Sequence, residues 1–227
     1  MKNLEIIYED NDILLCYKPA GIATQTKRLG QQDMESLLKN YRAKKGESPY
    51  IGIVHRLDQP VEGIMVFGKH QKATASLSKQ IQEKMIGKYY YAVSAYKPEK
   101  ESSILEHYLI TDKKTNFTQI VEEKKEAKFA KLEYHVVRSI DEKILFDIKL
   151  HTGRQHQIRV QMAHIGCPLI GDEKYGTKTQ DRLALCSYRL QFQHPVTKTQ
   201  MDFSISPKGE AFQRFRTLDN SKPFGLS

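Results

Sequence analysis

Residues 127–150, AKFAKLEYHVVRSIDEKILFDIKL, decide the fold class. Apolar side chains recur through the first half at Phe129, Leu132, Tyr134 and Val136, and through the second at Ile144, Phe146, Ile148 and Leu150. A period near two is that of a half-buried strand. Asp141-Glu142 lies between the two runs and is a turn pair, so the stretch predicts one long antiparallel hairpin.

Upstream of that hairpin, residues 97–125 are polar and interrupted, with strand-like runs only at 105–110 and 117–121 and a solvated turn at 122–126. Residues 88–96 are rich in strand formers, and alternation puts Tyr90 on one face and Tyr89 and Tyr91 on the other. Tyrosines in a row pack in sheets, and a ring at a cleft edge also suits stacking on an unpaired base. Ala73, Leu77, Ile81 and Met85 recur every four residues and predict a helix over 71–85, stopped by Gly87, with its lysines on a solvated face. Asp33 ahead of Met34, Leu37, Leu38 and Tyr41 predicts a capped helix ending at residues 46–49. Residues 4–8 and 12–17 read as two strands around Glu9-Asp10-Asn11.

Downstream, the period becomes helical after Gly153, with Ile158, Met162 and Ile165 on one side and Gly166 and Pro168 as terminators. A helix start there offers free N–H groups that attract anions. Residues 183–192 and 201–205 predict a strand pair across His194-Pro195, and Ala211, Phe212, Phe215 and Leu218 a last helix. Strands outnumber helices and come in hairpin-linked pairs. The expectation is α+β: a single domain over residues 1–227, built on a largely antiparallel mixed sheet flanked by short helices and loops.

With 39% hydrophobic residues among 227, the chain can bury a core. Its 36 Lys and Arg exceed its 27 Asp and Glu, a net charge of +9 that suits a polyanion, nucleic acid above all. Cys16, Cys167 and Cys186 form neither a disulfide framework nor a zinc knuckle, which fits a reducing cytoplasm. No secretory signal and no membrane-length apolar run is present, so a cytoplasmic location is expected.

Two stretches carry chemistry. His55-Arg56-Leu57-Asp58 lies between the apolar run 50–54 and the Gly63-initiated run 63–68, and Gln59-Pro60 turns the chain after it, so Asp58 can sit at the floor of a cleft. His151-Thr152-Gly153-Arg154-Gln155-His156-Gln157-Ile158-Arg159 supplies cations able to pair with that carboxylate. Lys18-Pro19-Ala20-Gly21 breaks a strand and suits either meeting a phosphate or bracing a neighbouring loop. The spacings of His151, His156 and His164 miss the i,i+4 spacing of a zinc pair, and no Gly-x-Ser-x-Gly elbow supports a hydrolase.

Taken together, these motifs resemble those of the RluA-type pseudouridine synthases. Residues 55–58 with Gly63 match the first signature. Thr152-Gly153-Arg154, residues 156–159, Gly166, Pro168, Gly171-Asp172 and Tyr175-Gly176 match the second, and Lys18-Pro19 with Gly21, Lys88 with Tyr90 and Ala92, and Leu183 with Leu185 and His194-Pro195 fall in order. The resemblance implies an RNA isomerase without cofactor or metal, acting as a monomer on structured rRNA or tRNA. It implies Asp58 as the group acting at the sugar, Arg159 as the cation against it and Tyr90 as a plate stacked on uracil. Lys18, His55, Arg56 and Arg154, with His156, Gln157 and Leu185, are then substrate-binding candidates. Uracil must leave its stack, steadied by cations such as Arg56 or Arg154. Val61-Glu62 departs from the commoner Thr-Ser and puts an extra acid near the loop, where it could alter RNA contacts or the pairing of Arg56. A single catalytic domain with no separate N-terminal RNA-binding domain is expected, so target choice is expected to rest on this domain. A rival expectation is an RNA-binding protein on an inactive synthase scaffold, which a product assay separates.

Overall fold

The computed structural model describes residues 4–26, 30–176 and 181–216, which fall into two compact units. The first holds the chain up to Gly87 together with Arg189–Ile205, and the second holds Lys88–Tyr188 and the segment from Ser206. No helix is long and apolar enough to cross a membrane.

In the first unit, β1 (Glu5–Glu9) pairs antiparallel with β2 (Ile13–Lys18), and β2 pairs with β4 (Glu62–Gly68), setting Lys18 opposite Gly63. The short β3 (Gly52–Ile53) adds to β4, and β10 (Leu185–Gln193), which belongs to this unit from Arg189, pairs with β11 (Gln200–Ser204). Strands β2 and β4 are buried along their whole length, so they read as continuous apolar runs instead of alternating. Helix α1 (Met34–Lys44) starts at Asp33, whose side chain accepts Ser36 N–H at 2.8 Å while Asp33 N–H donates to Ser36 Oγ at 3.2 Å. This reciprocal cap is worth roughly 1 kcal/mol. Helix α2 (Gln71–Gln82) sends Leu77 into a core of Ile13, Leu15, Ile64, Val66, Leu190 and Phe192. It approaches the strands closely enough that a Cβ on Gly68 would fall 2.7 Å from Thr74 N.

In the second unit, β8 (Lys128–Ile140) and β9 (Lys143–Leu150) form the predicted hairpin. Asp141 (φ 48°) and Glu142 (φ 60°) are both left-handed, as a two-residue turn matched to strand twist requires. Strand β5 (Gly87–Ser94) pairs with β9 so that Lys88 meets Leu150 and Tyr90 meets Ile148. Strand β6 (Ser102–Asp112) lies between β8 and β7 (Phe117–Val121). Helix α3 (Gln157–His164) covers one face: Val160 packs with Leu109 and Ala130, and Gln161 Nε2 donates to Leu105 O at 3.2 Å. Following the register across β6, β8, β9 and β5 puts Leu105, Leu132, Leu150 and Lys88 on that face, and Tyr90 with them. A short α4 (Glu210–Gln213) buries Phe212. The arrangement is α+β on a largely antiparallel sheet, as the hairpin pattern predicts.

Four expectations change. Helix α2 stops at Gln82, since Lys84 takes a left-handed φ of 58° and Met85, placed on its buried stripe, is 49% exposed. Phe129 lies out of phase with Leu132 and is 37% exposed on the opposite face, and Ala130 takes the buried position on the face of Leu132. Strand β6 extends well past residues 105–110 at both ends, because pairing with β8 and β7 carries polar residues that have no strand signal of their own. Helix α3 begins at Gln157, after His156 in a left-handed conformation (φ 53°), not directly after Gly153. Leu218 lies outside the described residues.

Candidate active site

Asp58 leaves the strands in a turn closed by Val61 N–H on Asp58 O at 3.0 Å. Both flanks of that turn are tied down. Before it, Thr24 Oγ1 donates to Leu57 O at 3.0 Å and accepts Leu57 N–H at 3.2 Å. After it, Gln59 O accepts Gly21 N–H at 2.8 Å, and Gln59 Nε2 returns a bond to Gly21 O at 3.1 Å. His55 Nε2 accepts Val66 N–H at 3.1 Å, which fixes its ring and puts the ring proton on Nδ1. A carboxylate on a loop held this way is oriented before any substrate arrives.

Lys18 is wholly buried, and its ammonium donates to three carbonyls, Pro19 O (3.1 Å), Ile22 O (2.6 Å) and Gln59 O (3.2 Å). Burial pulls its pKa down to about 8, against the fields of Asp58 and Glu62, which favour the charged form. It braces the Asp58 turn from beneath and is out of reach of an RNA phosphate, which corrects the expectation that it binds substrate. Glu62 is likewise buried and accepts the Tyr17 hydroxyl, so the extra acid does not lie on an RNA-facing surface. Arg56, in contrast, is exposed.

In the second unit, Tyr90 is buried on the α3 face, while Tyr91 stacks on Tyr188 with ring centroids 3.7 Å apart on the other. Arg159 gives Nε and Nη2 to the two oxygens of Asp172 at 2.8 and 2.6 Å, a bidentate pair that fixes the plane of the guanidinium. Asp172 in turn accepts Lys174 and Tyr175 N–H, both at 3.1 Å. The Tyr175 ring lies 5.1 Å from the Arg159 guanidinium carbon, and its hydroxyl takes Thr118 N–H at 2.9 Å and meets His156 Nδ1 at 2.7 Å. Among the buried substrate-binding candidates here, Gln157 is 3% exposed and spends its amide on Thr152 Oγ1, Arg154 N and Lys131 O. Those bonds cap the loop ahead of α3, so the anion site expected at a helix start after Gly153 is not formed there. His156 and Leu185 are also buried. Arg154 is exposed, with Nε on Phe129 O at 2.8 Å.

The histidines weighed as metal ligands do separate work. His151 faces Glu133, His156 meets Tyr175, and His164 packs edge-on against His107. A different trio, Asp10, Asp12 and His194, comes together in the first unit. There His194 Nδ1 accepts Val196 and Thr197 N–H at 3.3 and 3.1 Å, leaving the proton on Nε2 towards Asp10 at 3.0 Å. A metal-bound imidazole has the opposite arrangement, so this cluster reads as a staple on the turn after β1.

A family model described as RNA pseudouridylate synthase matches residues 12–164. The chain belongs to the RNA pseudouridylate synthase family. The RluA-type resemblance is borne out by that match, which contains residues 55–63 and 152–159 of the two signatures, and by relatives named ribosomal large subunit pseudouridine synthase C. An RNA pseudouridine synthase of Bacillus subtilis is 33% identical over 197 residues, covering 86% of this chain and 65% of that protein. One from Aquifex aeolicus is 32% identical over 222 residues, covering 89% and 69%. A ribosomal large subunit pseudouridine synthase C of Rickettsia felis is 34% identical over 176 residues, covering 76% and 56%. The chain thus spans about two thirds of the length of the curated relatives it matches. The fold is that of the solved human RNA pseudouridylate synthase domain containing 4 (TM-score 0.74, 18% identity, 88% of this chain and 87% of that one). The human domain containing 1 has TM-score 0.73 and 20% identity, covering 90% and 83%.

Asp172, Tyr175, Thr24 and Lys88 had no assigned role in the sequence. Asp172 and Tyr175 stood inside a matched signature, so the signal was present, but nothing in their spacing named Arg159 as the partner. Thr24 is 33 residues from the backbone it holds and left no signal.

Proposed function

We propose that this chain is an RNA pseudouridine synthase that isomerises uridines in structured ribosomal or transfer RNA. The observation that carries the reading is the family match over residues 12–164, which contains Asp58, Tyr90 and Arg159 in signature context. In the reaction the N1–C1′ bond breaks, uracil turns, and C1′–C5 forms; C5 gives up a proton and N1 takes one, so the atoms balance with no cofactor consumed. Asp58 acts at C1′, either by direct attack or by assisting a glycal-type elimination. Tyr90 offers a flat ring to uracil and a phenol for the proton at C5. Arg159 supplies positive charge, and Arg56 and Arg154, both exposed, steady the flipped nucleotide. Mapping pseudouridines across rRNA and tRNA of a strain lacking the gene tests this: a site that disappears and returns on complementation is expected, and an unchanged map would refute it.

Two expectations follow from these roles. Tyr90→Phe keeps the ring and loses the phenol, so RNA affinity should hold while turnover falls by roughly 10²–10⁴-fold; Tyr90→Ala should also cost ~1–3 kcal/mol of binding. Turnover and RNA affinity measured on one uridine-containing RNA distinguish the two, and equal behaviour of both variants would remove the proton-transfer role. With +9 net charge, affinity should drop at least about tenfold between ~50 and ~200 mM salt through counterion release. A flat salt titration would count against a phosphate-dominated interface.

A further inference from the structure

The two lysines that are buried among the described residues are both fully partnered. Lys18 has its three carbonyls, and Lys69 has Glu9 at 2.7 Å, Glu47 at 3.1 Å and Asp10 O at 2.7 Å. Lys88 is different. It opens β5 two residues before Tyr90, on the same face, and its ammonium lies 3.2 Å from where a Cβ on Gly153 would stand. Burial and the neighbouring Arg154 guanidinium both hold its pKa below the usual lysine value. No carboxylate or carbonyl among the described residues takes its Nζ. The charge that acts on its ammonium is that of another cation, Arg154.

A partly desolvated ammonium beside a guanidinium is unfavourable unless an anion joins them. Gly153 leaves the room that any larger side chain would take from Nζ. Arg154 keeps its Nε on Phe129 O, which holds the guanidinium at the rim. The spacing also constrains the ligand: residues i and i+2 of a strand are ~7 Å apart on one face, about a nucleotide's reach. Resting on the function proposed above, we propose that Lys88, with Arg154 at its rim and Gly153 leaving the space, binds the RNA phosphodiester next to the uridine that stacks on Tyr90. The ligand class is a singly charged, tetrahedral phosphate, held by point charge from Lys88 and by hydrogen bonds from Arg154.

The test uses the full chain with Lys88→Met and Lys88→Arg. In buffer free of multivalent anions, Lys88→Met should melt no lower than wild type, because it removes an uncompensated charge. Inorganic phosphate should raise the melting temperature of wild type and of Lys88→Arg, and leave that of Lys88→Met unmoved. With RNA at low salt, Lys88→Met should bind about tenfold more weakly and lower the slope of log affinity against log salt by ~0.7–0.9, while Lys88→Arg restores both. An unchanged slope in Lys88→Met, or phosphate stabilising it as it does wild type, overturns the site. Were wild type to bind RNA with a Lys88-dependent slope yet make no pseudouridine, the phosphate site would stand and the isomerase reading would fall.

Discussion

Asp58→Asn should abolish pseudouridine formation, a drop of at least ~10⁴-fold or about 5.5 kcal/mol in the barrier, while leaving the melting temperature and RNA affinity close to wild type. The small structural effect follows from how the turn is held. Its bonds run through the backbone of Leu57, Asp58 and Gln59 and through Thr24, Gly21 and Lys18, and all of these survive an isosteric change at the Asp58 side chain. The carboxylate can therefore be removed without removing the loop. Measuring product by nucleoside analysis, together with affinity and thermal melting, separates chemistry from folding. Detectable pseudouridine from pure Asp58→Ala would end the assignment of Asp58 to the sugar-face chemistry.

The same loop shows how far the sequence could be read. The hairpin across Asp141-Glu142, the Asp33-capped helix and the buried runs of β2 and β4 announce themselves through period, turn chemistry or capping, which are local signals. The chemistry-bearing motifs were legible because they are contiguous. What holds them was not. Lys18 has the same sequence appearance whether it meets a phosphate or lies under a turn, and only its complete burial with three carbonyls decides between them. Gln157 stood as a substrate-binding candidate through the resemblance, yet its amide closes the loop before α3. The division into units was also invisible, since the boundaries fall inside β5 and β10, with no linker to mark them. Long-range partnership of this kind is written in geometry, and single-sequence periodicity carries none of it.

Arg159→Ala should lose both stability and activity, and the larger part of the stability loss should come from Asp172. The Asp172 side chain is fully buried, the guanidinium pairs with both of its oxygens, and it also accepts Lys174 and Tyr175 N–H. Removing one partner of such a pair strands a buried charge at about 3–5 kcal/mol, on the order of 10 °C of melting temperature for a chain this size. Asp172→Asn keeps the backbone acceptor and loses the charge, so it should release the guanidinium from its fixed plane and slow turnover while RNA is still bound. If Asp172 carries the loss, Arg159→Ala made in an Asp172→Asn background should cost much less than in wild type, with a coupling energy above about 1 kcal/mol. A stability loss that persists undiminished in the Asp172→Asn background would overturn Asp172 as the carboxylate that Arg159 stabilises.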